Sequence, residues 1–286
     1  MNTDQRENIA LITGASNGIG LELTRRLLAD NWQVIALNRS SLPEEDEGLR
    51  SAANDGRLRV YRTADLSDFA ALRRTLEEIK EKEERIDLLF NNAGGSFNEL
   101  SYSKQGRELH FELMTVVPYI VLMELKDLLA KGRHKTAINT SSAATKMVKE
   151  LSIDILERPK TFRKLIGPYA SSKLALSLWT HAVAPELLAR DGIRIRSVDP
   201  GSNNTLRKDK KSGLPFYVKP LMKLFFSPPT HGAGRLYEGA LGEHRDKTGL
   251  FLIKGQAADL KFKEQDRTIL ERVKKIYESE YLGQRA

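Results

Sequence analysis

The 286-residue chain contains no cysteine. This excludes a disulfide framework, a thiol nucleophile and any cysteine-based metal site, and it fits a reducing compartment. Long apolar runs are also missing: no stretch approaches the roughly 18 residues needed to span a bilayer. Residues 1–8 are polar and lack the apolar core of a secretion signal, so the expected location is cytoplasmic. No internal repeat and no low-complexity tract interrupts the chain. Basic and aromatic residues are not interleaved as base stacking requires, which argues against nucleic acid despite a formal net charge of +8. Part of that excess is local, in Arg207, Lys208, Lys210, Lys211, Lys219 and Lys223, and reads as a solvated loop.

Against those absences stands a regular alternation of short apolar runs and helical segments. Strand-like runs fall at Asn8–Thr13, Gln33–Leu37, Leu58–Arg62, Ile86–Asn91, Thr136–Ser141, Ile193–Val198 and Leu250–Ile253. Helical spacing fills Ser67–Glu84, Lys104–Ala130 and Tyr169–Arg190. The rhythm predicts an α/β, doubly wound Rossmann fold: seven mostly parallel strands with helices on both faces. Nothing breaks it, so residues 1–286 read as one domain. An insertion at about 202–229 and a charged last helix at about 259–281 complete it, the helix with Leu260, Ile269, Val273 and Ile276 as its packing stripe.

Two motifs carry chemistry. Thr13-Gly14-Ala15-Ser16-Asn17-Gly18-Ile19-Gly20 follows the first strand and opens a helix. Gly14 suits a tight turn, Gly18 a close backbone approach to a pyrophosphate, and Gly20 close helix packing. The free N–H groups of the helix start then face phosphate. The second motif, Tyr169-Ala170-Ser171-Ser172-Lys173, puts a phenol and an ammonium one turn apart on one helix face. A nearby cation favours phenolate, which brings Tyr169 toward acid–base work on a carbonyl or alcohol oxygen. Ser141 and Ser142 end the fifth strand, where a hydroxyl can polarise the same oxygen. Both motifs fall at the carboxyl ends of strands, where such sheets bind ligands.

The second strand ends Ala36-Leu37-Asn38-Arg39, without the acid that usually accepts the ribose 2′-OH of NAD. Arg39 suits a 2′-phosphate instead, so NADP(H) is expected over NAD(H). The plain alternative is an arginine that caps the strand end in solvent. Glu44, Glu45, Asp46 and Glu47 read as the exposed start of a helix.

With these residues the chain resembles the short-chain dehydrogenase/reductase superfamily from about Asn8 to Ile253. Thr13-Gly14-x-x-x-Gly18-Ile19-Gly20, Asn91-Asn92-Ala93-Gly94, Tyr169-x-x-x-Lys173 and Pro200-Gly201 match its motifs. The Ser142-to-Tyr169 gap and Asp199-Pro200-Gly201 look like its retinol dehydrogenase-like branch. The resemblance implies Tyr169 as catalytic acid/base. It implies that Lys173 lowers the tyrosine's pKa and holds the nicotinamide ribose, and that Ser142 orients the substrate. It implies cofactor contacts from Gly14, Ser16, Asn17, Gly18, Ile19, Gly20, Arg39, Asp65, Leu66, Asn92, Ala93, Gly94, Pro200, Gly201 and Thr205. It also implies a small-molecule carbonyl or alcohol substrate, often lipophilic, and a homo-oligomer. One departure stands out: Met114 takes the place of the family's water-holding Asn, and Met has no amide carbonyl to offer. His110, nearby, reads as structural.

Three readings fit the apolar segment Leu214–Phe226: a substrate lid, a helix packed on the core, or a stripe resting on a membrane surface. The leading function is NADP(H)-dependent interconversion of a carbonyl and an alcohol, with Tyr169, Ser142 and Lys173 as catalytic residues and no metal. The runner-up is an NADP(H)-binding regulatory protein with little turnover, supported by Met114 alone.

Overall fold

The computed structural model describes residues 7–203 and 227–283. Eight strands form one sheet: β1 (Ile9–Thr13), β2 (Gln33–Asn38), β3 (Leu58–Arg62), β4 (Leu88–Asn91), β5 (Thr136–Thr140), β6 (Arg194–Asp199), β7 (Phe251–Ile253) and β8 (Gln256–Ala257). Their order is β3-β2-β1-β4-β5-β6-β7-β8. The first seven are parallel, and β8 turns back antiparallel on β7. The count of seven therefore becomes eight. Lys254 and Gly255 both take positive φ, 53° and 78°, and that turn folds two further residues onto the sheet edge.

Both faces of the sheet are covered, as continuous apolar strands require. Leu11, Ile35 and Leu37 point toward α3 (Phe69–Lys82), α5 (Val117–Ala130) and α7 (Pro168–Asp191). Ala10, Ile12, Val34 and Ala36 point the other way, toward α1 (Gly18–Ala29), α2 (Glu47–Asn54) and α8 (Pro229–Leu241). The switch of strand order between β1 and β4 puts α1 and α5 on opposite faces and opens a crevice at the strand ends.

The helix expected over Lys104–Ala130 starts later and is interrupted. Tyr102 bridges Glu108, and Gly106, at φ 77°, turns the chain between them. Helix then runs as α4 (Leu109–Phe111), a π turn at Glu112–Val116, and α5. Within the gap between Ser142 and Tyr169 lie a 3-10 turn (Ala143–Met147) and α6 (Ile153–Glu157). The last helix is α9 (Asp266–Ile276), flanked by a 3-10 turn (Lys263–Gln265) and a π turn (Tyr277–Leu282). Ile269, Val273 and Ile276 are buried as their spacing predicts, and Leu260 packs partly buried against the same core. Asp46 caps α2 through its side chain, so the acidic run does open a helix. No helix among the described residues is long and apolar enough to cross a membrane. Leu214–Phe226, the basic cluster and Thr205 lie outside the described residues; Asn203 and Ser227, on either side, pair in a parallel bridge.

Candidate active site

The glycine turn is built by close contacts. Gly14 stands at φ 72°, a conformation that favours glycine, with its amide bonded to the Leu37 carbonyl at 2.9 Å. A Cβ on Gly20 would lie 2.2 Å from the Gly14 carbonyl oxygen and 2.6 Å from the Asn92 amide. Gly20 thus lets the helix start sit on the loops themselves rather than on the sheet. Asn17 caps α1 without a side-chain hydrogen bond, and no acid occupies the first turn. Ser16, Asn17, Gly18 and Ile19 are half-buried at this end. Those observations fit an anion such as a pyrophosphate, drawn by open N–H groups and the helix dipole.

The loop after β4 is clipped to the same turn. The Thr13 hydroxyl accepts from the backbone N–H of Asn92 and of Ala93, both at 3.0 Å. The Asn92 amide donates to the carbonyls of Thr13 and Gly14. Asn91 faces inward instead, donating to Asn139, which donates to Thr180. Gly94 lies against Met114: a Cβ there would meet the thioether at 2.8 Å and would stand 3.9 Å from Lys173 Nζ. Met114 is fully buried in the π turn.

The adjacent serines divide sharply. Ser141 is buried and bonded to Ser177 at 2.7 Å and to the Lys173 carbonyl, so it ties β5 to α7. Ser142 hydrogen-bonds the Tyr169 hydroxyl and caps the following 3-10 turn through the Ala144 N–H. Lys173 is buried, with Nζ donating to the Thr140 carbonyl at 2.6 Å. Burial pulls its pKa down to about 7. Burial also pushes the Tyr169 phenol above its ordinary value; the Ser142 hydrogen bond opposes this and the Asp199 charge adds to it. The downward influence comes from Ser142, and Lys173 is itself poised to change charge near neutrality.

The remaining described residues of the expected set follow the carboxyl ends of β2, β3 and β6. Arg39, just past β2, is exposed, and among the described residues no carboxylate pairs with it. Asp65 is exposed and accepts from the Ser67 N–H and hydroxyl, while Leu66 is buried. Pro200 and Gly201 turn after β6, with the Gly201 N–H bonded to Asp199 at 3.1 Å.

Three positioning residues escaped the sequence reading. Asn38 is fully buried and accepts from the Ala15 N–H at 2.6 Å, which fixes the glycine turn to β2. Asp199 accepts from both Gly201 and Ala143, joining the ends of β5 and β6. Asn203 donates to the carbonyls of Pro200 and Gly201 and accepts from Gly232 at the start of α8. For Asn38 and Asp199 the available signal was a polar Asn or Asp at the carboxyl end of a strand, where side chains stand in for missing ladder partners.

A model of the short chain dehydrogenase family matches residues 8–153. The chain belongs to this family. Its relatives include retinol dehydrogenases, consistent with the retinol dehydrogenase-like branch. It is 29% identical over 272 residues to a polyprenol dehydrogenase of Danio rerio, covering 90% of this chain and 81% of that protein. To retinol dehydrogenase 12 of Mus musculus it is 28% identical over 194 residues, covering 68% of this chain and 60% of that protein. Its fold superposes on L-sorbose reductase from Gluconobacter frateurii, solved with NADPH and L-sorbose, with a TM-score of 0.64 at 19% identity over 91% of this chain and 99% of that one. Membership of this family makes the chain a short-chain dehydrogenase-type oxidoreductase.

Proposed function

We propose that this short-chain dehydrogenase uses NADP(H) to interconvert a carbonyl and an alcohol on a lipophilic small molecule, with Tyr169 as acid/base. The observation that carries the reading is the convergence of Ser142, Tyr169 and buried Lys173 at strand ends beside an anion-ready helix start. Bound nicotinamide would supply or take up the hydride at the reacting carbon. In reduction Tyr169 gives its proton to the carbonyl oxygen; in oxidation it takes one from the alcohol. Ser142 donates a hydrogen bond to the same oxygen and steadies its developing charge. Lys173, when protonated, lowers the phenol's pKa and has N–H donors left for a ribose hydroxyl.

Arg39, exposed and without a carboxylate partner among the described residues, supports selection of a 2′-phosphate. The relatives' names, polyprenol and retinol dehydrogenase, support a lipophilic alcohol or aldehyde. A regulatory protein with little turnover is the second reading, favoured by buried Met114, which has no side-chain amide to hold a relay water. Turnover of NADPH against a panel of long-chain aldehydes and ketones tests between them. Tyr169→Phe abolishes turnover on the first reading; NADPH binding without turnover across the panel favours the second.

A further inference from the structure

We propose that His110, oriented by Glu108, is a positioning residue that sets both the Tyr169 phenol and the loop following β4; its catalytic consequence rests on the role given to Tyr169 above. Both side chains are fully buried. The Glu108 carboxylate uses both oxygens locally: one bonds His110 Nδ1 at 2.6 Å and the other accepts from the Phe111 N–H at 2.9 Å. Its backbone N–H is held by the Glu157 carbonyl at 2.8 Å, so the carboxylate is anchored on two sides. The far ring nitrogen, Nε2, accepts from the Phe97 N–H at 3.0 Å. A backbone N–H can only donate, so Nε2 carries no hydrogen, and Nδ1 donates to Glu108. The two partners thereby assign the neutral tautomer.

The ring is a hub between three aromatics. Phe97 lies 4.6 Å away, in the loop that continues Asn92-Ala93-Gly94; Phe162 lies 6.2 Å away, in the approach to α7. Tyr169 stands edge-on at 6.1 Å, with an interplanar angle of 82°. That edge-to-face arrangement fixes where the phenol ring can lie. Lys164, which donates to Asn98 at 2.7 Å, links the same two segments from outside. Packing alone does not call for this dyad, since an apolar side chain would fill the space without burying a carboxylate. The hydrogen bonds and ring contacts instead reach the two segments that border the phenol.

Three variants separate the arms. His110→Phe keeps a ring but loses both hydrogen bonds. His110→Gln keeps an acceptor near Nε2 for Phe97. His110→Asn keeps a donor near Nδ1 for Glu108 but offers Phe97 nothing. Amide hydrogen exchange, steady-state kinetics and thermal midpoints are measured on each. In His110→Phe, exchange in residues 92–98 is expected to speed up at least about tenfold while α1 is unchanged. Its kcat should fall at least about tenfold, with KM for NADPH within about twofold. His110→Gln, which keeps the Phe97 acceptor but not the ring, should return loop exchange to within about threefold of wild type while kcat stays low; His110→Asn should restore neither.

The proposal is overturned if His110→Phe leaves loop exchange and kcat unchanged, if Gln and Asn fail alike in loop exchange, or if kcat falls only in step with thermal stability. If wild type turns over nothing on the carbonyl panel, the proposed activity fails separately. Spectrophotometric titration of Tyr169, taken as wild type minus Tyr169→Phe, then decides: a shifted phenol pKa in His110→Phe sustains the positioning role, and an unmoved one refutes it.

Discussion

Among the described residues three cations are buried; Arg107 is paired with Glu112 and Glu280, while Arg196 and Lys173 have no carboxylate partner and differ in what surrounds them. Arg196, on β6, spreads its guanidinium over four carbonyls: Gly239 at 2.8 Å, Ala240 and Arg245 at 3.1 Å each, and Lys247. Two of these are end carbonyls of α8, which need donors and carry the negative end of the helix dipole. Burial lowers the Arg196 pKa to about 10, with neighbouring Arg194 adding to the effect, and the group stays charged at neutral pH. Lys173 has one carbonyl acceptor among the described residues and a pKa near 7. At one site the cost of burying charge is met by the fold; at the other it is left largely unmet. Stability alone accounts for the first arrangement. The second makes physical sense as part of a site whose further acceptors arrive with its ligands.

The contrast can be broken by exchanging each cation for methionine. Lys173→Met should reduce turnover about 10³-fold or more, within the range of a lost acid–base partner. Its denaturant midpoint should stay at or above wild type, because a desolvated amine has been removed. Arg196→Met should do the reverse: it strands four carbonyls and should cost about 3–5 kcal/mol of stability, while any enzyme that remains folded keeps its kcat. Equal stability losses in the two variants, measured by urea unfolding, would erase the distinction.

The serine pair offers a sharper and smaller test. Ser142→Ala should lower kcat about 10²-fold through the lost hydrogen bond to the reacting oxygen. Ser141→Ala should cost about 1–2 kcal/mol of stability and leave kcat within about threefold, since its partners are Ser177 and the α7 backbone. Cofactor choice comes next: Arg39→Ala should weaken NADPH about tenfold and leave NADH unchanged, as fluorescence titration would report.

The smallest expected effect is a pH slope. The Lys173 pKa falls from 10.5 to about 7 on folding. Between those values the unfolded chain binds more protons than the folded one, so this group's contribution to stability rises with pH across that window. Lys173→Met has no such group to titrate. Its stability advantage over wild type should therefore shrink as pH is raised from 7 to about 10. A gap that does not change with pH would mean that Lys173 is not desolvated.

Much of this organisation was readable in advance because it depends on local pattern. The seven parallel strands lie within a residue or two of their apolar runs, and β3 spans Leu58–Arg62 as expected. Left-handed Gly14 and the α1 start are visible because only particular residues tolerate such turns. The remainder depended on contacts distant in sequence. Local pattern alone does not separate Ser141 from Ser142; the resemblance picks Ser142, and the physical difference appears only when α7 packs on β5. Asn38, Asp199 and His110 gain their roles from backbone groups 23, 56 and 13 residues away. The late start of the helix near Lys104 follows from the Tyr102–Glu108 bridge, which overrides helical spacing.

The central claim, a nucleotide-fed proton-transfer site on Tyr169, is tested most directly by one paired experiment. Wild type and Tyr169→Phe are titrated with NADPH and NADH by fluorescence, then assayed for NADPH oxidation against lipophilic aldehydes and ketones. The account expects NADPH to bind both proteins with similar, NADPH-selective affinity, and turnover to fall at least about 10³-fold in the variant. Folded wild-type protein that binds neither nucleotide, or a variant that turns over like wild type, would contradict it.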